Sequence, residues 1–171
     1  YNSFLYIFVG TFLGGGLVLN NQLVNGKTGN AGAIGSLPFY NGSTQSQLIT
    51  QSSLYLLERK LNDAGHNGQH IYESPSHWSC DTRSIEDWLS ETARGLAFAT
   101  QCAMSLLDLD GVIIDGAIPD DVKNALVAHT QSAMETLDMR GLAQVHISEG
   151  LVGRKAQSIG SANLALQANY Y

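Results

Sequence analysis

Positive charge is scarce in this chain. Nine Lys and Arg stand against fifteen Asp and Glu, for a net charge of −6. The bulk positive field that a phosphate backbone rewards is therefore missing, and any contact with DNA must go through another segment. Charged residues make up only 14% of the chain and apolar residues 44%, which excludes a disordered tail, a coiled coil and a nucleic-acid arm. There are only two cysteines, Cys80 and Cys102. They read as reduced thiols of a cytosolic protein, with a disulfide left open by sequence alone. No apolar run reaches the roughly 18 residues of a membrane helix. The opening Tyr1-Asn2-Ser3-Phe4-Leu5 has neither Met nor a basic stretch, unlike a signal peptide. It runs at once into a strand pattern, as expected of a piece cut from a longer protein at a domain seam. A length of 171 residues suits one domain, whose folding buries about 70% of the unfolded surface.

What is present is glycine, 18 residues of it, much of it near the start. Phe4 to Val9 is a β-branched and aromatic run that predicts a buried strand. Gly14-Gly15-Gly16 leads into a second strand at Leu17-Val18-Leu19. Asn20-Asn21 suits a two-residue turn, and Gln22-Leu23-Val24 returns from it. Gly26, Gly29, Gly32 and Gly35 recur every third residue in a loop. Such spacing suits a backbone in close approach to a ligand, and equally a tight inert loop.

Leu54, Leu57 and Leu61 predict a helix from about Ser46 to Asn62. Residues 64 to 82 are polar and read as an irregular excursion. Ser84 is placed to cap a long helix carrying Ile85, Trp88, Leu89, Thr92, Leu96, Ala99 and Ala103 on one face, ending near Leu107. Val112-Ile113-Ile114 reads as a buried parallel strand. Pro119, Asp120 and Asp121 suit the first turn of a helix with Val122, Leu126, His129, Ala133 and Leu137 on its apolar side. His129 is thus expected in a core or interface. Ala143 to Ser148 is a last strand candidate, and Ser158 to Tyr170 a closing helix. No fixed-period repeat is present. An antiparallel three-stranded meander followed by αβαβα on a mixed sheet is the order of the α/β, ribonuclease-H-like (actin-like ATPase) domain.

Val9-Gly10-Thr11-Phe12-Leu13-Gly14-Gly15-Gly16, with the hairpin through Gly26 and then Gly29-Asn30-Ala31-Gly32-Ala33-Ile34-Gly35, resembles the signature of the ROK family of sugar-responsive repressors and sugar kinases. Its pattern is a G-T-G-I-G-G-G-like turn, a hairpin, and A-G-E-I-G-H. The stretch from Leu106 to Ala117 is similar to the family's L-x-P-x-x-I-V-I-G-G segment, and Ile159-Gly160-Ser161-Ala162 to its I-G-A-A. The resemblance spans nearly the whole chain and matches the family's C-terminal domain. It implies a preceding domain that bears the phosphate loop and, in kinases, the Asn-Asp catalytic pair. In repressors it implies a winged helix-turn-helix before that.

The resemblance also implies sites, and this sequence departs from several of them. Gly10, Thr11 and Gly14 to Gly16 match the phosphate-side turn. There they either offer backbone N–H groups and a hydroxyl to phosphate or merely permit the turn. In A-G-E-I-G-H, Ala33 replaces the Glu and Ser36 the His, which removes a bidentate acceptor of sugar hydroxyls. Asn30, Gly32 and Ser36 remain as sugar-site candidates, with Asn30 able both to donate and to accept. The family's zinc ligands, a His and three Cys, have no match between Leu37 and Leu61. His66, His70, His77 and Cys80 crowd one loop at spacings that fit no metal pattern. Asp115 stands at the first Gly of the nucleotide turn, before Gly116. There a carboxylate either repels phosphate or turns the backbone.

These departures favour the effector-binding and oligomerisation part of a ROK-type transcriptional regulator: cytoplasmic, dimeric, and with no catalytic residue, metal or cofactor of its own. Its partners would be a sugar-like effector and, through the preceding domain, DNA, but no membrane. The alternatives are the C-terminal domain of a ROK sugar kinase and an assembly module with a decayed ligand site.

Overall fold

In the computed structural model, residues 1–73, 77–78 and 81–155 are described. Strand β1 (Phe4–Val9) turns Leu5, Ile7 and Val9 into the core and leaves Phe4, Tyr6 and Phe8 half-buried on its other face, the two-residue period of a strand. β2 (Leu13–Leu19) pairs with it antiparallel, from Phe4 opposite Val18 to Val9 opposite Leu13. Gly14, Gly15 and Gly16 lie inside this strand, opposite Phe8, Ile7 and Tyr6, rather than in a turn leading to it. β3 (Gln22–Val24) returns along β2 after Asn20 and Asn21, whose φ values of 51° and 63° are the left-handed pair that a tight hairpin requires.

A small separate hairpin follows, β4 (Pro38–Asn41) and β5 (Thr44–Gln47). The leucine spacing had suggested helix from Ser46. Helix α1 (Leu54–Asp63) instead begins eight residues later, with Leu54, Leu57 and Leu61 buried as that spacing implied. Leucine periodicity sets a helix face but not its start. Residues 44–47 find a strand partner, and Leu48 turns into the core as its N–H donates to the Leu37 carbonyl at 2.9 Å. Tertiary pairing here overrides local propensity.

The polar excursion contains one helical turn, α2 (His70–Glu73). Helix α3 (Thr82–Leu107) buries Trp88, Leu89, Thr92, Leu96 and Ala99. Its cap is Asp81, three residues before the expected Ser84. The Asp81 carboxylate accepts from the Ser84 N–H at 2.8 Å and its hydroxyl at 2.7 Å. An ionised carboxylate at the positive end of a helix outcompetes a hydroxyl. Asp108 ends the helix in the left-handed conformation, at φ 49°.

β6 (Gly111–Gly116) then runs parallel to β1, Phe4 opposite Gly111 and Val9 opposite Gly116. Helix α4 (Asp120–Met134) follows, with Pro119 at its cap position, one residue earlier than expected. β7 (His146–Glu149) lies parallel to β6 and completes a mixed sheet of order β3-β2-β1-β6-β7. The expected strand at Ala143 starts only at His146, because His146 pairs with Gly111, the first residue of β6. Helices α3 and α4 pack together, and Leu5, Ile7, Leu96, Val112, Ile114 and Leu126 share the core. His129 is half-exposed on α4, its Nε2 3.8 Å from Glu86 Oε2 on α3. It sits on the rim of the helix pair rather than in a core. The expected closing helix and Ile159-Gly160-Ser161-Ala162 lie outside the described residues. No helix among the described residues is long and apolar enough to cross a membrane.

Candidate functional site

The glycine-rich loop lies flat on β2. Gly26, Gly29 and Gly32 take φ values of 70°, 76° and 80°, a region closed to most side chains. A Cβ on Gly32 would come within 2.9 Å of Gly16 Cα, and one on Gly15 within 2.6 Å of the Gly32 carbonyl oxygen. Loop and strand thus meet backbone to backbone. Beside this contact opens a pocket of about 240 Å³, lined in part by Gly14, Gly15, Asn30, Ala33 and Ser36. The structure therefore brings Asn30 and Ser36 together and sets Gly14 and Gly15 with them. Gly32 seats the loop and faces a different, apolar pocket shared with Leu5, Cys102 and Leu106. Among the described residues no titratable side chain lines the Asn30 pocket. It offers hydrogen bonds through the Asn30 amide and the Ser36 hydroxyl.

The second candidate cluster lies at the C-terminal ends of β1 and β6, the edge where open α/β sheets bind ligands. The Gly10 and Thr11 carbonyls accept from the Leu54 and Tyr55 N–H groups at 2.9 and 3.3 Å. That contact ties the turn to the first turn of α1 and occupies two donors that a helix start would otherwise offer. Gly116 is adjacent, and the next N–H, of Ala117, donates to the Val9 carbonyl at 3.0 Å. Gly10, Thr11, Asp115 and Gly116 are thus neighbours at one edge. Gly14 to Gly16 lie back along β2.

Asp115 does not face that edge as a free carboxylate. It is completely buried. Its carboxylate accepts from the Tyr6 hydroxyl at 2.6 Å, the Gly116 N–H at 2.8 Å, the Val152 N–H at 3.1 Å and the Gly153 N–H at 3.0 Å. Lys123 Nζ, itself buried, stands 3.7 Å from Asp115 and 3.1 Å from Asp120. The hydrogen bonds of the Asp115 carboxylate thus run to a side chain and to backbone groups of its own chain. Tyr6, Lys123 and the 152–153 backbone escaped the sequence reading because Tyr6 lies 109 residues from Asp115 and Val152 lies 37; no local pattern links them.

Burial alone would push the Asp115 carboxyl up, but the Tyr6 hydroxyl and the Gly153, Gly116 and Val152 N–H groups outweigh it and hold it below the usual carboxylate range. Burial first, then the Asp115 hydrogen bond and charge, pushes the Tyr6 phenol up. A carboxyl held low in the folded state adds stability that is complete above its unfolded value and is lost as pH falls through the folded value. Urea midpoints should therefore drop between neutral and strongly acid pH, with a shallower drop in Asp115→Asn. Equal slopes for the two proteins would contradict the assignment.

His66 follows α1 and His70 opens α2, while Cys80 lies outside the described residues. Among the described residues no three metal-ligating side chains come together, and Cys102 is a free thiol.

No model of a known protein family matches the chain. The chain is 24% identical over 159 residues to the uncharacterized protein y4fQ of Sinorhizobium fredii, covering 91% of this chain and 38% of that protein. Among solved structures, it superposes on a ROK family glucokinase from Streptomyces griseus, crystallised with glucose and AMPPNP. The TM-score is 0.74, with 21% identity over 98% of this chain and 61% of that one. This is the fold of the ROK sugar kinases. It is an α/β fold with helices on a mixed sheet. A ROK family transcriptional regulator, a homologue of the E. coli MLC protein, shares the fold at a TM-score of 0.65, with 17% identity over 87% of this chain and 42% of that one. The chain thus spans 38% to 61% of these proteins' lengths, and sugar kinases and a regulator alike carry its fold.

Proposed function

We propose that this chain is the C-terminal, effector-binding and oligomerisation part of a ROK-type, sugar-responsive transcriptional regulator. One observation carries the reading: the pocket on β2 presents Asn30 and Ser36 and, at Ala33, only a methyl group. Such a pocket can recognise hydroxyls, since an amide and a hydroxyl both donate and accept. Ala33 occupies the position where the ROK motif has Glu, so affinity and discrimination rest on fewer bonds. A sugar-like effector held between this pocket and a preceding domain would favour one interdomain angle. In a dimer, that angle sets the spacing of two DNA-reading modules.

The expected result is that some member of a sugar panel changes the operator affinity of the full-length protein. Asn30→Ala should weaken that response about tenfold or more, the loss of one well-made hydrogen bond to a bound hydroxyl. Invariant DNA affinity across the panel would count against the reading. The kinase alternative draws on the glucokinase likeness, and ATP consumption with any hexose would favour it. Persistent absence of any sugar-dependent thermal shift would favour assembly alone.

A further inference from the structure

Asp115 sits in a cradle built for an anion. Three backbone N–H groups, of Gly116, Val152 and Gly153, and one hydroxyl, of Tyr6, point at its two oxygens. The Lys123 ammonium lies just behind at 3.7 Å. The bend after β7 is shaped to this cargo. The Gly150 N–H donates to the Ile114 carbonyl at 2.8 Å and so prolongs the β6–β7 ladder. Any Cβ on Gly150 would overlap the Asp115 side chain. Successive backbone N–H groups that converge in a concavity, backed by a cation, recognise carboxylates and phosphates alike, because both present several acceptor oxygens to short charge-assisted bonds. Tyr6 comes from β1, Gly116 from the end of β6, Lys123 from α4 and the 152–153 amides from beyond β7. Four parts of the chain therefore meet on one charge.

We infer that the ends of β6 and β7 form an oxyanion nest that the chain fills with its own Asp115 carboxylate. Asp115 acts as an internal ligand. It clamps the bend at 150–153 onto the sheet and leaves these donors none to offer a nucleotide phosphate. Without the carboxylate, the same nest takes a small free oxyanion. This inference concerns neither sugar nor DNA, so its failure and that of the effector reading are separately visible.

The experiment is chemical rescue of Asp115→Gly in the full-length protein. Thermal unfolding is followed in sodium formate, in inorganic phosphate, and in sodium chloride of matched ionic strength. The variant should melt below the wild type. Formate, which replaces the deleted carboxylate, should raise its melting temperature by about 3 °C or more above the chloride control. Wild type, already filled, should respond to formate and chloride alike. A phosphate rise in the variant alone would show that the nest also admits a tetrahedral anion and would strengthen the proposal. No excess over chloride from either anion, or an equal excess in both proteins, would overturn it. Should Asp115→Gly not fold, amide exchange decides. The Val152 and Gly153 amides should be protected in wild type and exchange about tenfold faster or more in Asp115→Asn. Unprotected amides in wild type would overturn the assignment.

Discussion

Gly32→Val should unfold the glycine loop and close the Asn30 pocket. Two costs add. At φ 80° a β-branched residue sits in a region it hardly populates, which costs about 1–3 kcal/mol. Its Cβ also meets Gly16 Cα at 2.9 Å and Leu17 N at 3.0 Å. Those are backbone atoms of a central strand and cannot swing aside, so overpacking adds roughly another 1–3 kcal/mol. The total, roughly 2–6 kcal/mol, rivals the stability of many domains. Gly29→Ala separates the two costs. Gly29 also has positive φ, at 76°, but nothing lies within 4 Å of an added Cβ, so only the conformational cost of about 1–2 kcal/mol remains. Chemical denaturation of both variants tests this; equal losses would show that the loop does not rest on β2 as described.

Trp88→Ala should cost about 3–5 kcal/mol, the usual loss for a fully buried aromatic side chain. Trp88 has no exposed surface and packs edge-on against Trp78, ring centres 6.2 Å apart. Its Nε1–H donates to the buried Ser53 carbonyl at 2.9 Å. The next residue, Leu54, donates to the Gly10 carbonyl, so Trp88 holds the start of α1 and, through it, the Gly10–Thr11 turn. Trp88→Phe keeps most of the volume and removes one of two bonds to the Ser53 carbonyl, which also accepts from the Leu56 N–H at 3.2 Å, at about 0.5–1.5 kcal/mol. Amide exchange at Leu54 and Tyr55 should quicken in both variants beyond the global change in stability. Unchanged local protection in Trp88→Phe would uncouple the tryptophan from the turn.

Where the chain's own periodicity is strong, the structure follows it. Val9 bounded by Gly10, the Asn20-Asn21 turn and the Trp88–Leu89–Leu96 stripe are local signals, and each lies in the element it suggested. The β4–β5 hairpin was not legible. Its residues Thr44-Gln45-Ser46-Gln47 are polar and without a hydrophobic pattern, and they become strand only by pairing with Pro38–Asn41. The cap of α3 lies at Asp81 rather than Ser84 because the Asp81 carboxylate takes both the Ser84 N–H and the Ser84 hydroxyl. His129, on what looked like an apolar stripe, faces the rim because the stripe is wider than the surface α3 covers.

The candidate site divides in the same way. Glycine spacing alone marked the loop that frames the Asn30 pocket, since only a residue without Cβ takes positive φ cheaply, and that rule needs no neighbours. Asp115 was visible as a charge at a strand end, but whether it met a ligand or the chain itself depended on α4 and on groups 109 and 37 residues away, on β1 and in the bend after β7. Local stereochemistry is written residue by residue. The partner of a buried charge is settled only when the fold removes water and leaves the nearest donors to replace it.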